Sequence, residues 1–364
     1  MPGFPLAPGS TIGILGGGQL GRMLALAAAR LGFDVAILDP DVDGPAGRVA
    51  RLAITAEYDD PVALKALADA SDVVTFEFEN VPARAVEQLM QFGAEVAPNA
   101  RALAIAQDRV EEKTFLNGAG APTVAFAATD DLASLQQAVA TIGTPCLIKT
   151  RRDGYDGKGQ AWVEHPAAAA EAFARVGSKP VIVEAPAAFR RELSVICARG
   201  RSGEIALYPL GENHHEGGIL RRTIAPAEVT PATRAQAERI AARILSGLDY
   251  VGVLGVELFE LEDGQLLVNE IAPRVHNSGH WTSDGCEVDQ FEQQIRAVAG
   301  WPLGPTHAIV QTEMINLIGD DTADWPKLIA DPAARLWLYG KREARPGRKM
   351  GHVNRLSPLP PPSR

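Results

Sequence analysis

Residues 252–281 read GVLGVELFELEDGQLLVNEIAPRVHNSGHW, and the rest of the chain organises around them. Two β-type runs, VGVLGVELFEL (251–261) and QLLVNEI (265–271), flank Asp263-Gly264, a strong short-range hairpin signal. With Asp263 and Gly264 as the two loop residues, Glu262 faces Gln265 and Glu257 faces Glu270. A three-residue loop would instead set Glu257 opposite Asn269. Two carboxylates directly opposite on one sheet face repel by roughly 0.2–1 kcal/mol, so retaining them implies a cation between the side chains. Oxygen ligands of this kind suit Mg²⁺ carried with a nucleotide's phosphates, not zinc. The alternative is an edge hairpin with both acids in water. The continuation from Ala272 to His280 favours the metal: it is dense in cationic and hydrogen-bonding groups and begins where the acidic strand ends. Acids for a metal beside bases for an anion point to phosphate chemistry.

The totals are compatible with that. A chain of 364 residues, 46% hydrophobic and 22% charged, is long enough for two or three soluble domains with substantial cores. A net charge of −10 argues against non-specific nucleic-acid binding. Cys146, Cys197 and Cys286 lie far apart and form no CxxC, which fits buried thiols in a reducing cytoplasm. The start, MPGFPLAPGS, has no basic or apolar signal region, and no apolar run reaches membrane-spanning length. It reads as a short disordered lead-in, as LSPLPPPSR reads as a loose tail.

Working outward, Thr11 to Leu15 is a buried-type strand, followed by GGGQLG (16–21), an alanine-rich helix to about Leu31 and a second strand ending at Asp39. On this segment alone dinucleotide binding, with NAD as ligand, is the favoured reading. Asp72 to Asn80 reads as a further strand. Alternation puts Phe76 and Phe78 on one face and Glu77 and Glu79 on the other, with Glu79 nearer the ligand crevice. Arg101 to Asn117 reads as one helix containing Gln107-Asp108-Arg109, with Lys113 one turn on. TPCLIK (144–149) is a strand carrying a lysine, and RRDGYDGKGQ (151–160) holds three glycines and three cations. That composition suits a mobile flap over polyphosphate or an ordinary hairpin loop; GxxxxGK[ST] is absent, so it is no P-loop. Val181 to Ala185 is a strand running into Pro186, and Glu192 to Ile196 is the next. Asn213 to Gly218 reads as a polar loop whose two histidines have no zinc ligand set around them. A long helix, Thr230 to about Leu248, precedes the hairpin. RPGRKMGH (345–352) is a compact basic turn, either solvated or gripping a phosphate.

A lysine strand, a glycine flap, a strand ending in an acid and two acids on paired strands, in this order, resemble the ATP-grasp superfamily. Within it the chain resembles the N5-carboxyaminoimidazole ribonucleotide synthase family. The resemblance is carried by GGGQLGRM (16–23), TFEFENV (75–81), QDR (107–109), GYDGKGQ (154–160), NHHEGGIL (213–220), NEIAPRVHNSGHWT (269–282) and RPGRKMGH (345–352). It covers nearly the whole chain and implies an α/β protein, α+β overall. A Rossmann-like parallel-sheet domain (1–105) would precede an ATP-grasp lid domain (106–187) and a larger antiparallel-sheet domain (188–364).

The resemblance also implies roles. Arg109 and Lys149 would bind ATP phosphates under the flap Gly154, Tyr155, Asp156, Gly157, Lys158, Gly159 and Gln160. Glu184, Ala185, Pro186 and Ala187 would form the hinge against adenine, Glu192 would accept from the ribose, and His215 would touch the nucleotide. Glu257 and Glu270 would hold Mg²⁺, with Asn269 alongside. Many ATP-grasp enzymes have Glu-x-Asn on the second metal strand; here the Asn position is Ala272, so water would complete the shell. Gln19 and Leu20 would hold aminoimidazole ribonucleotide and no NAD would bind. Glu79, Tyr155, Asp156, Arg274 and His276 would be catalytic. Glu79, Arg274, His276, Lys341, Arg348 and Lys349 would border the ribonucleotide and bicarbonate, Arg348 and Lys349 on its phosphate. The implied reaction is ATP-dependent carboxylation of the ribonucleotide by bicarbonate, in a cytoplasmic homodimer without nucleic-acid or membrane partners. A formate-dependent glycinamide ribonucleotide transformylase shares the phosphate logic and is the nearest rival.

Overall fold

The computed structural model describes residues 3–152, 154 and 159–359. Strands β1 (Thr11–Leu15), β2 (Asp34–Asp39), β3 (Leu52–Thr55) and β4 (Val73–Phe76) form a parallel sheet in the order β3-β2-β1-β4. Strands β1, β2 and β4 are almost continuously buried, as parallel strands covered by helices on both faces are. One cover is α1 (Gln19–Arg30), which turns Leu20, Met23, Leu24, Ala27 and Ala28 inward at helical spacing. The expected strand to Asn80 stops at Phe76. Beyond it Glu77 bends away to reach the start of α1, and the alternation ends: Phe76 is 1% exposed and Phe78 39%.

The single helix expected over 101–117 is two, Ala100–Ala106 and Arg109–Gly118. Asp108 makes the break. Its carboxylate accepts from the Val110 and Glu111 N–H groups at 3.0 and 3.4 Å, an N-cap that starts a new helix. A second, antiparallel sheet follows, β5 (Phe126–Thr129), β6 (Cys146–Thr150), β7 (Gln160–Val163) and β8 (Val181–Glu184), in the order β5-β8-β6-β7. Helix Leu132–Ile142, begun by an Asp131/Ser134 capping box, packs Leu135 and Val139 onto Ile148, Val163, Val181 and Val183.

The third sheet is antiparallel and nine-stranded: β9 (Phe189–Arg199), β10 (Ile205–Leu207), β11 (Gly211–Glu216), β12 (Ile219–Ala225), β13 (Gly252–Leu261), β14 (Leu266–Ala272), β15 (Gln311–Ile318), β16 (Ala334–Leu338) and β17 (Lys349–Ser357). Its order is β14-β13-β9-β11-β12-β15-β17-β16, with β10 on β9. The period of two divides β9 between two cores. Val195 and Cys197 meet Ala237, Ile240 and Ile244 of helix Pro231–Gly247, while Ile196 and Ala198 share a core with Phe291 and Ile295 of helix Gln290–Ala299. That second helix also packs against α1, so the first and third sheets share one core. Residues 213–218, expected as a loop, form the β11–β12 hairpin, with Gly217 and Gly218 both at positive φ in its turn.

Candidate active site

The two hairpin acids face one another by a route of two cancelling shifts. Gly264 N donates to Leu261 O and Leu261 N to Gln265 O, both at 2.9 Å, which closes a three-residue loop, Glu262-Asp263-Gly264, with Gly264 at φ +82°. The two-residue loop is therefore corrected. The longer loop offsets the ladder, and Leu258 pairs with Val268. A bulge then inserts Asn269, and Glu257 regains Glu270 as its partner. The bulged Asn269 donates its side-chain amide to Glu257, at 3.3 Å, and its backbone carbonyl accepts from Lys113, at 3.2 Å.

Burial, and then the charge of Glu270, push the Glu257 carboxyl up. Burial would do the same to Glu270, but the Arg109 guanidinium, 3.0 Å away, holds it below the ordinary carboxylate range. Among the described residues no group of three or more metal-ligating side chains forms a cage. The pair thus fits an ion that takes one or two carboxylates and completes its shell with phosphate and water, as Mg²⁺ does.

On the β6–β8 side of the pair, Lys149 of β6 and Lys113 converge on Glu184 at the end of β8, at 2.7 and 3.3 Å. Burial opposes the Glu184 charge, yet the two lysines hold its carboxyl low. Ala185, Pro186 and Ala187 run on from Glu184 towards β9. Lys113 carried no assigned role in the sequence, although its spacing of four from Arg109 puts both on one helix face. Glu192 and His215, on the neighbouring strands β9 and β11, pair at 2.9 Å, and Glu192 raises the His215 pKa against its burial. Arg109 also donates to the Gly154 carbonyl at 3.2 Å, Gly159 accepts from Thr150 N at 2.8 Å, and Gln160 opens β7. Tyr155, Asp156, Gly157 and Lys158 lie outside the described residues.

On the other side of the acids, Arg274 is ion-paired with the Glu79 carboxylate, which it holds low despite burial. His276 Nε2 lies 3.5 Å from Glu257 Oε1, and its Nδ1 lies 2.8 Å from Ser278 Oγ. Burial, reinforced by the Arg274 charge, pushes the His276 imidazole down to about 3 and keeps it neutral. The Lys349 charge reaches both His276 and His215, which brings the basic turn to the same cleft. Lys341 Nζ donates to Lys349 O at 2.8 Å, and Arg348 Nη1 donates to Glu343 O at 3.1 Å. Asn277 and Asn316 exchange amide hydrogen bonds at 2.9 and 2.7 Å, tying the loop after β14 to β15. Asn277 lies in the 269–282 motif, but Asn316 does not stand out in the sequence, because its partner is 39 positions away.

The glycine turn holds something other than a dinucleotide. Gly17 N donates to Asp39 Oδ2 at 2.5 Å, and Gly18 N and Gly21 N donate to the Glu77 carboxylate at 3.0 and 3.2 Å. Tyr58 donates to the same Asp39 oxygen at 2.7 Å. The amides that would meet a pyrophosphate, and the acid that would meet a ribose, already have partners in the protein. A Cβ on Gly18 would lie 2.8 Å from Glu77 Oε1, so the close approach that glycine permits is to a carboxylate. Gln19 opens α1 partly exposed, and the Leu20 side chain is buried in the core.

Residues 10–107 match the ribonucleotide synthetase preATP-grasp domain, 114–291 the ATP-grasp domain and 312–358 the phosphoribosylaminoimidazole carboxylase C-terminal domain. The N5-carboxyaminoimidazole ribonucleotide synthase of Brucella melitensis biotype 1 is 52% identical, over 97% of this chain and 98% of its own. That of Bacillus subtilis (strain 168) is 43% identical, over 95% of this chain and 91% of its own. A solved ADP complex of an N5-carboxyaminoimidazole ribonucleotide synthetase superposes with a TM-score of 0.93 at 41% identity, covering 97% of this chain and 93% of its own. The Aspergillus clavatus synthase, solved with ADP and 5-aminoimidazole ribonucleotide, gives a TM-score of 0.90 at 32% identity, covering 96% and 94%.

Proposed function

The chain belongs to the N5-carboxyaminoimidazole ribonucleotide synthase family of ATP-grasp ligases, and from that premise we propose how its side chains divide the ATP-dependent carboxylation of aminoimidazole ribonucleotide in purine biosynthesis. ATP lies along β6, β8 and β9, its phosphates towards Lys149 and Arg109 and its adenosine towards Glu184, Ala185, Pro186, Ala187, Glu192 and His215. Glu257 and Glu270 would hold Mg²⁺, which would offset charge on the phosphates. Bicarbonate attacks the γ-phosphorus and gives carboxyphosphate and ADP, with Lys149 and Arg109 facing the phosphoryl oxygens. Bicarbonate is a poor electrophile towards an amine; carboxyphosphate, or the CO₂ it releases, is a good one. Arg274, anchored by Glu79, and neutral His276 hold the one-carbon unit against the exocyclic amine of the ribonucleotide. Arg348 and Lys349, with Lys341 behind them, take the ribonucleotide phosphate, and Gln19 and Leu20 border its base.

The observation that carries this reading is the facing pair Glu257 and Glu270, with Arg109 on one side of it and His276 on the other. The test is phosphate release from MgATP with bicarbonate and aminoimidazole ribonucleotide, against formate and glycinamide ribonucleotide. Release dependent on the first pair is expected; release dependent on the second would make the chain a transformylase. The family resemblance also carries a cytoplasmic homodimer, whose dimeric state light scattering tests.

A further inference from the structure

Gln290 opens helix Gln290–Ala299 and belongs to no motif in the sequence, yet its side chain is fully buried beside His276. Its Oε1 accepts from the His276 backbone N–H at 2.8 Å, and its Nε2 donates back to the His276 carbonyl at 2.8 Å. The side-chain amide pairs with one residue's backbone as a neighbouring strand would. Because a backbone N–H can only donate, this pairing fixes which end of the amide is oxygen. The second Nε2 hydrogen is directed at His280 Nδ1, 3.1 Å away. That nitrogen therefore accepts, and neutral His280 carries its proton on Nε2. The Gln290 backbone N–H donates to Thr282 Oγ1 at 3.1 Å, whose hydroxyl donates to Gly279 O at 2.7 Å. One helix start thus ties the loop at His276, His280 and Thr282.

Two glycines make the clamp possible by leaving space. A Cβ on Gly279 would lie 2.6 Å from Gln290 Oε1, and a Cβ on Gly255 would lie 2.7 Å from the His276 Cβ. Neither glycine has a positive φ, so room, not backbone freedom, explains them. Gly279 sits in the loop motif and Gly255 on β13 because Gln290 and His276 fill the positions their side chains would take.

We infer that Gln290 is a positioning residue for carboxylation: it sets the His276 backbone, and with it the imidazole beside Glu257, so that the one-carbon unit reaches the amine and is not lost to water. This rests on the ligase reading above. Gln290 touches no substrate in that reading, and acts through a loop where a shift of about 1 Å is enough to misdirect a reactive group.

Q290M keeps the side chain's length and removes its donor and acceptor. Phosphate released per ribonucleotide carboxylated should rise about threefold or more in Q290M, while the KM for MgATP moves by less than about twofold. G279A presses on the same amide from the other side and should raise the ratio likewise, should Q290M fail to fold. In an H276A background Q290M should add nothing further. A purely structural Gln290 would reduce the folded fraction and leave the ratio unchanged; that result, or additivity with H276A, overturns the proposal. Histidine ¹⁵N spectra of the unaltered protein need no turnover and should show His280 as the Nε2–H tautomer. An Nδ1–H tautomer overturns the clamp even in an active enzyme. The expected tautomer without bicarbonate- and ribonucleotide-dependent phosphate release overturns the ligase reading and the carboxylation role with it.

Discussion

Acidic side chains gather at two places in this protein, and they are treated in opposite ways. At the N-terminus of α1, Glu77 and Asp39 are met by the amides of Gly17, Gly18 and Gly21 and by the Tyr58 hydroxyl. There backbone amides hold both acids, although burial still pushes the Glu77 carboxyl up, and the Gly17, Gly18 and Gly21 amides are not free for a phosphate. At the hairpin, Glu257 and Glu270 face each other, with one arginine on Glu270 and an amide on Glu257. There the charge is left incompletely answered, and the site can take a cation. The glycine-rich turn is the louder phosphate signal in the sequence, but its amides are taken, whereas the quieter acids face each other with their charge only partly met. A turn binds an anion only if the protein has not already supplied one.

The contrast is tested most strongly by removing one acid from each place. Glu270→Gln should lower ATP turnover by about 100-fold or more, since a divalent ion and its charge stabilisation are worth several kcal/mol. Near-normal phosphate release at saturating Mg²⁺ would mean the hairpin acids are structural. Glu77→Ala should do the reverse. It leaves two amides at the head of α1 without partners, costs about 2–3 kcal/mol of stability in thermal or urea unfolding, and leaves the MgATP KM within about twofold. A raised KM there would bring the glycine turn back as a nucleotide site. Arg348→Ala asks where the second phosphate lies, and should raise the ribonucleotide KM about tenfold with kcat little changed. An unchanged KM would move that phosphate off the basic turn.

How much of this was legible beforehand depends on how local each feature is. The lysine strand, the βαβ opening and the facing acids rest on alternation and turn chemistry within about a dozen residues, and they are present. A two-residue loop predicts the facing of Glu257 and Glu270, whereas the protein achieves it with a three-residue loop and a bulge at Asn269. No propensity marks that bulge, at which the Asn269 side chain bonds Glu257 and its backbone carbonyl bonds Lys113. Phe78 was misplaced because the pull on Glu77 comes from the glycine turn 59 positions earlier. Asp108 reads as an interior helix residue although its cap to Val110 and Glu111 is local; only Arg151 and Arg152, which close on the same carboxylate, come from 43 and 44 positions away. Gln290 and Asn316 were invisible for the same reason: buried amides have no period, and their partners are chosen by the fold.

A third buried acid sharpens the comparison because it belongs to neither class. Glu112 accepts from Ile271 N at 2.7 Å, directly behind Glu270, and burial together with the Glu270 charge pushes its carboxyl from 4.5 up to about 8. Unlike Glu77 it has one amide, and unlike Glu257 it does not face the cleft. In the native protein it therefore stays protonated across a range where the unfolded chain has already ionised. Between those two pKa values the unfolded state binds fewer protons, so this group's contribution to stability is present at low pH and is lost as pH rises towards 8. Glu112→Gln keeps an acceptor for Ile271 N and cannot ionise. It should match the parent's stability at about pH 5 and exceed it by about 1–2 kcal/mol at pH 8, a gain of about 3 °C in Tm, with phosphate release within about threefold. Thermal melts across that range provide the check. A stability difference that stayed flat with pH would show that Glu112 is ionised in the native protein, and that the ground behind Glu270 is more polar than its burial implies.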